Sequence, residues 1–221
     1  DLCYSVDEAV EITMQPIKRL KTDAAIMFSD ILVIPDALGQ QVSFSEGIGP
    51  ILQPIRSGEM IPSLDISKID NKLYPIFQII KKLSNTINDE TTLIGFAGSP
   101  WTVAVYMVEG KTSKECSNAR YWAYTDPIEF NKLIQVLIDS TVRYLIKQIE
   151  HGVEVIQLFD SWAGVLADDQ FQKWVIEPNR KIVKALKFHY PDIPIIGFPR
   201  NCGFLNLDFV KQTGVDGINI D

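Results

Sequence analysis

Five short apolar runs recur along this sequence, and most of them end at small or polar residues. The runs cover residues 24–28, 92–96, 153–159, 193–198 and 215–220. An uninterrupted apolar run that closes with residues such as Ser29-Asp30 or Asp160-Ser161 is typical of a strand covered by helices on both faces. The sequence therefore predicts five strands of a parallel sheet.

Amphipathic helices are predicted between these strands. The clearest covers residues 127–150, where Asp126 caps the helix, a proline occupies its first turn and Gly152 follows its end. Two more are predicted at 75–87 and 178–189, each with a proline in its first turn. Strands that alternate with helices form right-handed βαβ units around a parallel sheet.

The N-terminal part of the sequence adds two features to this pattern. A helix is predicted to begin at about Val6 and to end or kink at Pro16, because proline lacks the N–H that the next turn needs. Residues 41–45 and 47–50 are predicted to form an excursion outside the strand–helix repeat.

The number of strands decides between two α/β architectures. A closed (β/α)8 barrel needs eight strands and five are found, so we expect a TIM barrel that is incomplete in this chain, with residues 1–221 forming one partial domain. A shorter doubly wound sheet tolerates five strands. Such sheets usually bind their ligand at a glycine-rich first turn, and no strand end here carries GxGxxG or GxxxxGKS. The barrel is therefore favoured.

Composition excludes several classes of protein. A formal charge of −7 argues against the broad basic face that nucleic acid or an anionic membrane would need. The sequence has no run of about 20 apolar residues and no signal pattern at its N-terminus. Cys3, Cys116 and Cys202 are scattered, which gives no support to a disulfide framework or a structural zinc site. We expect a cytoplasmic protein without metal, nucleic-acid or membrane partners.

Polar motifs follow three of the predicted strands, at the sheet edge where parallel α/β proteins bind their ligands. Within the longer stretches FSDILVIPDALG, LIGFAGSPWTVAVYMVEG and QLFDSWAG, these motifs are similar, nearly residue for residue, to the signature segments of uroporphyrinogen decarboxylases. The resemblance extends from about Leu2 to the last residue. It implies a homodimeric, cofactor-free carboxy-lyase of heme biosynthesis that converts the four acetate side chains of uroporphyrinogen to methyl groups.

The resemblance also implies roles for individual residues. Asp30 matches the family's central aspartate, which accepts hydrogen bonds from the pyrrole N–H groups, and Tyr106 matches the tyrosine that hydrogen-bonds this aspartate. Ser161 matches a hydroxyl offered to a substrate carboxylate, and Phe96 and Phe159 match apolar walls of the cleft. Local sequence leaves other interpretations open: Asp30 and Ser161 as caps of the following turns, and the three aromatic residues as ordinary core.

The chemistry explains why a carboxylate suits this position. Carbon dioxide leaves an acetate on a pyrrole most easily when the ring is first protonated on carbon, since the cation accepts the electrons of the breaking bond. A fixed carboxylate in a water-poor cleft stabilises that cation. Arg200, which follows a predicted strand, could bind a carboxylate arm of the substrate, although a surface salt bridge is an equal alternative.

Two motifs of the family are not found, and two other functions compete. The chain has no arginine-rich RQAGRYLPE-like loop and no NLGHG-like turn, so we expect these 221 residues alone to be inactive. One rival is a corrinoid-dependent methyltransferase, which binds zinc through HxCG; here the corresponding residues begin with Arg200 and continue to Cys202, and arginine is not a zinc ligand. The other is a non-catalytic tetrapyrrole-binding module, to which a buried carboxylate is less suited.

Overall fold

Five parallel strands form the centre of the structure, which is a computed structural model that describes residues 2–45, 47 and 49–221. In all, the described residues form seven strands, of which β2 and β3 lie outside the parallel sheet: β1 (Ala24–Ile26), β2 (Val42–Ser45), β3 (Gly49–Leu52), β4 (Thr92–Gly98), β5 (Val155–Asp160), β6 (Ile195–Pro199) and β7 (Gly217–Ile218). The parallel sheet has the order β1-β4-β5-β6-β7. All five predicted strands are confirmed, although their limits differ by up to two residues from those of the apolar runs.

The strand order identifies the architecture. Each parallel strand pairs with the next one along the chain, as in the pairs Ala25–Leu93 and Gly95–Ile156. A doubly wound sheet reverses its strand order at a switch point, and the described sheet has no such reversal. The sheet is a sector of a barrel that is not closed, as the sequence predicts.

Strand β1 departs from the prediction that both faces are covered. Ala24 and Ile26 are exposed, with Ile26 retaining 43% of its accessible surface, while Ala25 between them is buried. The reason is that β1 is an edge strand of the open sheet, so that its alternate side chains face a groove rather than a packed core.

Ten α-helices surround the sheet within the described part of the chain. They are α1 (Val6–Leu20), α2 (Val33–Leu38), α3 (Ile69–Lys72), α4 (Tyr74–Ser84), α5 (Pro100–Glu109), α6 (Ser117–Thr125), α7 (Pro127–Glu150), α8 (Asp168–Phe171), α9 (Glu177–His189) and α10 (Leu205–Thr213). A π-helical turn, Gln172–Ile176, joins α8 to α9. The Asp126 carboxylate caps α7 by accepting the backbone N–H of Glu129 at 3.1 Å, as predicted. In the described residues, no helix combines the length and apolar character that crossing a bilayer requires.

Pro16 does not end α1, which continues for four more residues to Leu20. The proline is on the exposed side of the helix, where water can bond the carbonyl oxygen that loses its partner. On the opposite side, Ala9, Val10 and Met14 are buried, and their burial stabilises the helix. Of the two predicted effects of Pro16, an end of the helix is therefore wrong, and a kink stays a prediction.

The predicted excursion is a β-hairpin outside the parallel sheet. Strands β2 and β3 pair antiparallel, with Val42 opposite Leu52. The hairpin is attached to the end of α5 through the hydrogen bond from the Leu52 N–H to the Gly110 carbonyl oxygen at 2.8 Å. Ile48 of the predicted segment lies outside the described residues. The hairpin extends over the loop after β1, which carries the first candidate residue of the site.

Candidate active site

Asp30 lies in the loop between β1 and α2 and is half-buried. Its Oδ1 accepts the backbone N–H of Leu32 at 2.7 Å, so the local turn that the sequence allowed is formed. No hydrogen bond to Oδ2 is found among the described residues. Burial raises the pKa of Asp30, and the bond from the Leu32 N–H opposes this effect. Asp30 therefore has one oxygen free to accept hydrogen bonds from a ligand.

The loop that carries Asp30 is held from the side of α1. The Thr13 hydroxyl accepts the backbone N–H of Phe28 at 2.9 Å and donates to the carbonyl oxygen of Ala9 at 2.8 Å. Thr13 is buried, so its bond to Ala9 is shielded from water, and the bond from the Phe28 N–H is partly buried. The backbone that leads to Asp30 is thus fixed to a helix two residues before the carboxylate.

A small cavity of about 50 Å³ opens beside Asp30. Its wall includes Asp36, whose carboxylate accepts the Tyr4 hydroxyl at 2.5 Å and lies 3.2 Å from the ammonium group of Lys72. Because Lys72 already neutralises Asp36, Asp30 is the carboxylate of this region without a cationic partner among the described residues.

Tyr106 does not bond Asp30. The tyrosine is half-buried on α5, its ring centroid lies 6.2 Å from that of Trp162, and no hydrogen bond joins it to Asp30 in the described part of the chain. The reason is local: the Asp30 carboxylate is drawn to the Leu32 N–H, while the Tyr106 ring packs on the loop after β5. The contact that the resemblance implied between these two side chains is therefore not formed in this structure.

Phe96 and Phe159 meet at the open side of the sheet, with ring centroids 5.5 Å apart in an edge-to-face arrangement. Both line a groove of about 530 Å³ that also includes Ile26 and Phe28. Phe96 is buried and Phe159 half-buried, so they are partly core and partly groove wall. Phe198, which the sequence analysis missed, extends the same wall, with its ring 6.1 Å from that of Phe159. Its place at the end of the apolar run 193–198, like that of Phe96 and Phe159 in their runs, is the sequence signal that could have identified it.

Ser161 and Arg200 follow β5 and β6 at the same edge of the sheet. The Ser161 side chain is half-buried and makes no hydrogen bond among the described residues, so its hydroxyl does not act as a cap. The Arg200 guanidinium is more than half exposed, and its Nε lies 3.9 Å from a carboxylate oxygen of Asp221. The backbone N–H of Arg200 donates to the carbonyl oxygen of Asp160 at 3.1 Å, which joins the two loops.

A buried carboxylate that the sequence analysis missed lies directly before Ser161. Asp160 accepts the Thr102 hydroxyl at 2.6 Å and the Asn179 amide at 3.4 Å. The Asn179 amide oxygen in turn accepts the Ser99 hydroxyl at 2.9 Å. Burial raises the pKa of Asp160 from its ordinary value of 3.8 to about 7, and these two donors limit the rise. Its place immediately after a strand was visible in the sequence, but its partners 58 and 19 residues away were not.

The geometry offers little to a metal ion. No group of three or more His, Cys, Asp or Glu side chains suited to metal binding is found in the residues that the structure describes. Cys202 is buried, and burial together with the charges of Asp160 and Asp221 raises the pKa of its thiol to about 12.

Comparisons with known proteins agree with the motifs. A family model described as Uroporphyrinogen decarboxylase (URO-D) matches residues 1–221. The chain is 49% identical to a uroporphyrinogen decarboxylase of Rhodospirillum rubrum and 47% identical to one of Mesorhizobium japonicum. In both cases the match covers the whole of this chain and 64% of the relative. The chain thus spans about two-thirds of the length of these curated relatives.

A solved structure supports the fold alone. A methyltransferase from Methanosarcina mazei superposes with a TM-score of 0.80 over 97% of this chain and 62% of the other. The two sequences are 14% identical, so the likeness carries the barrel architecture and no more.

Proposed function

The chain belongs to the uroporphyrinogen decarboxylase family, and from that premise we propose that its protein removes the four acetate carboxyl groups of uroporphyrinogen. The products are coproporphyrinogen, a precursor of heme, and carbon dioxide. Asp30 is the observation that carries the proposal: a half-buried carboxylate at the ligand-binding edge of the sheet, which among residues 2–45, 47 and 49–221 has no cationic partner and no hydrogen bond to its second oxygen. A cationic ring supplies the charge that this carboxylate lacks.

Each decarboxylation balances without an external electron acceptor. A proton adds to a pyrrole carbon and gives a ring cation; the bond from the acetate methylene to its carboxyl carbon then breaks, its electrons move into the ring, and carbon dioxide leaves. A second proton adds to the methylene carbon to complete the methyl group, while the ring loses the first proton. The Asp30 carboxylate stabilises the cation between these steps, because attraction between opposite charges is stronger where burial excludes water.

The other residues of the edge supply binding and exclusion of water. Phe96 and Phe159 form an apolar wall against which the macrocycle packs. Ser161 offers a free hydroxyl to a carboxylate arm of the substrate. Arg200 is paired with Asp221 only at 3.9 Å, so its guanidinium can turn to a second arm.

The resemblance further implies a homodimer that acts in the cytoplasm. Cys116 and Cys202 are free thiols in the described structure, which is the form expected in a reducing compartment. Sedimentation of the natural protein at micromolar concentration should give twice the mass of one chain, and a mass of one chain would oppose the dimer.

The test of the function compares turnover with binding in the natural protein that contains this chain. Asp30→Asn keeps the shape of the side chain and removes its charge. We expect decarboxylation to fall by about 100-fold or more while the affinity for coproporphyrinogen changes far less, because the charge acts on the cation. Asp139→Asn, which changes an exposed aspartate on α7, is the matched control and should leave both unchanged.

The same experiment separates the competing functions. A non-catalytic tetrapyrrole-binding module predicts no turnover by the unsubstituted protein. If Asp30→Asn lowers turnover and affinity by equal factors, the proposed role of its charge is wrong. The methyltransferase alternative predicts stoichiometric zinc in the purified protein, which elemental analysis detects.

A further inference from the structure

A chain of four buried polar side chains lies behind the proposed site. Ser99, Thr102, Asp160 and Asn179 each retain 1% or less of their accessible surface. They come from the start of α5, the end of β5 and the first turns of α9, so the chain joins three separate elements. No salt bridge involves Asp160 in the described part of the structure. Burying a carboxylate without a cationic partner costs free energy of folding, so we infer that Asp160 has a role that offsets this cost.

The directions of the hydrogen bonds show which form of Asp160 fits. The Asn179 amide oxygen accepts Ser99, and its nitrogen donates to the carbonyl oxygen of Val175 at 2.9 Å, which fixes the orientation of the amide. The amide nitrogen therefore also faces Asp160, as a donor. Thr102 donates to the other carboxylate oxygen at 2.6 Å, and its own oxygen accepts the backbone N–H of Trp162 at 3.1 Å. Both oxygens of Asp160 thus accept a hydrogen bond, which suits the ionised carboxylate.

The π-helical turn before α9 contributes to this arrangement. Val175 belongs to the turn Gln172–Ile176, and its carbonyl oxygen accepts the Asn179 side chain. Pro178, which has no N–H to donate, lies between them at the start of α9. The Asn179 side chain is thereby held toward the end of β5.

Three residues of α5 converge on Trp162. The Thr102 oxygen accepts its backbone N–H, the Trp101 indole N–H donates to its carbonyl oxygen at 2.9 Å, and the Tyr106 ring lies 6.2 Å from its ring. Thr102 and Tyr106 are one helical turn apart, so they lie on the same face of α5. The loop after β5 is therefore fixed to the helix that carries Tyr106, and Ser161 lies within the fixed segment.

We propose that Asp160 is a positioning residue, whose carboxylate orients the Thr102 hydroxyl so that Trp162, and with it Ser161 and Tyr106, is held in the geometry that the reaction needs. The inference rests on the proposed function for its consequence in catalysis. Asp160 touches neither substrate nor reacting atoms; it acts through Thr102. Burying the Asp160 charge costs free energy, and in return the loop after β5 is fixed at the ligand-binding edge of the sheet.

Thr102 offers a matched pair of substitutions for the test, made in the natural protein. Thr102→Val keeps the shape and removes the hydroxyl, whereas Thr102→Ser keeps the hydroxyl. Thr213→Val is the control for stability, because the Thr213 hydroxyl is also buried and donates only to the carbonyl oxygen of Phe209, within α10. We expect Thr102→Val to lower kcat by about tenfold or more, since misplacement of site groups costs rate, and to raise KM by about as much as loss of the Ser161 hydroxyl does. Thr102→Ser should restore most of kcat, and Thr213→Val should lower stability without lowering kcat.

Hydrogen exchange of residues 160–164 gives a readout that does not depend on activity. Exchange should become faster in Thr102→Val than in Thr102→Ser or Thr213→Val. If Thr102→Val has the same kcat as Thr213→Val, or if exchange in this segment is unchanged, the inference is wrong. If the unsubstituted protein has no decarboxylase activity, the proposed function fails, and the exchange experiment alone decides whether Asp160 and Thr102 hold the loop.

Discussion

Asp30 follows β1 and Asp160 is the last residue of β5, so both lie at the carboxyl ends of parallel strands, yet the structure gives them opposite surroundings. Asp30 is half-buried, accepts one hydrogen bond from its own turn and borders a cavity. Asp160 is 1% exposed and accepts hydrogen bonds from two other elements of the fold. Burial raises the pKa of both carboxyl groups, but only Asp30 has an oxygen left for a ligand.

An acidic residue at the carboxyl end of a parallel strand is therefore not by itself a catalytic residue. An acidic side chain there can meet the substrate or can hold the loops that do, and its hydrogen-bond partners decide which. The loop of Asp30 is anchored by the Thr13 hydroxyl and that of Asp160 by the Thr102 hydroxyl, each of which accepts a backbone N–H from the loop. In the first loop the threonine is independent of the aspartate; in the second it is bonded to it.

Removal of the hydroxyl at Thr102 should have the largest effect on stability. We expect Thr102→Val to lower the free energy of unfolding by about 3 kcal/mol at pH 8, because the ionised Asp160 loses a charge-assisted hydrogen bond and the Trp162 N–H loses its acceptor. Asp30→Asn should change it by less than about 0.5 kcal/mol, since an amide oxygen can still accept the Leu32 N–H. Denaturant titration measures both. Equal losses of unfolding free energy in the two variants would show that the surroundings of Asp160 contribute no more to stability than those of Asp30.

The second prediction is that the contribution of Asp160 to stability depends on pH. Asp160 binds its proton more tightly in the folded protein, with a pKa of about 7 against 3.8 ordinarily, so the folded state holds more protons between these values. Stability therefore falls as the pH rises through this interval, and the contribution of Asp160 should decrease by about 2 kcal/mol from pH 5 to pH 7. The difference in unfolding free energy between the wild type and Asp160→Asn measures it. A difference that does not vary with pH would contradict the burial of an ionisable carboxyl group.

The third prediction concerns Gly164, which lies in the closely packed loop after β5. A Cβ atom added at Gly164 would lie 2.3 Å from the backbone oxygen of Asn201, so Gly164→Ala must displace the loop. We expect a loss of stability of about 1–2 kcal/mol and slower decarboxylation. Gly217→Ala is the control, because its added Cβ would meet nothing closer than 3.7 Å. Equal stability and equal decarboxylation rates in Gly164→Ala and Gly217→Ala would show that the loop after β5 is not tightly packed.

The smallest effect is expected at Ser161. Its hydroxyl makes no hydrogen bond among the described residues, so Ser161→Ala should leave stability within about 0.5 kcal/mol of the wild type. KM should rise about threefold or more with a smaller change in kcat, because one neutral hydrogen bond to a substrate carboxylate is lost. Steady-state kinetics with uroporphyrinogen check this. A fall in kcat with an unchanged KM would place Ser161 in the chemical step instead.

The sequence predicted the parts of this molecule that depend on local pattern. The apolar runs located all five parallel strands, and the motifs located Asp30 and Ser161 at the sheet edge. Pro16 was misjudged, since the penalty for a proline depends on whether water can reach the carbonyl oxygen that it frees. The bond from Thr102 to Asp160 and the amide of Asn179 were not foreseen, because contacts between residues distant in sequence are set by how the strands and helices pack.

The most direct measurement is a structure of the natural protein with coproporphyrinogen bound. The account predicts that pyrrole nitrogens lie within about 3.2 Å of the Asp30 carboxylate, with the macrocycle against Phe96 and Phe159. A product whose nitrogens contact other groups, while the Asp30 side chain faces solvent, would contradict it.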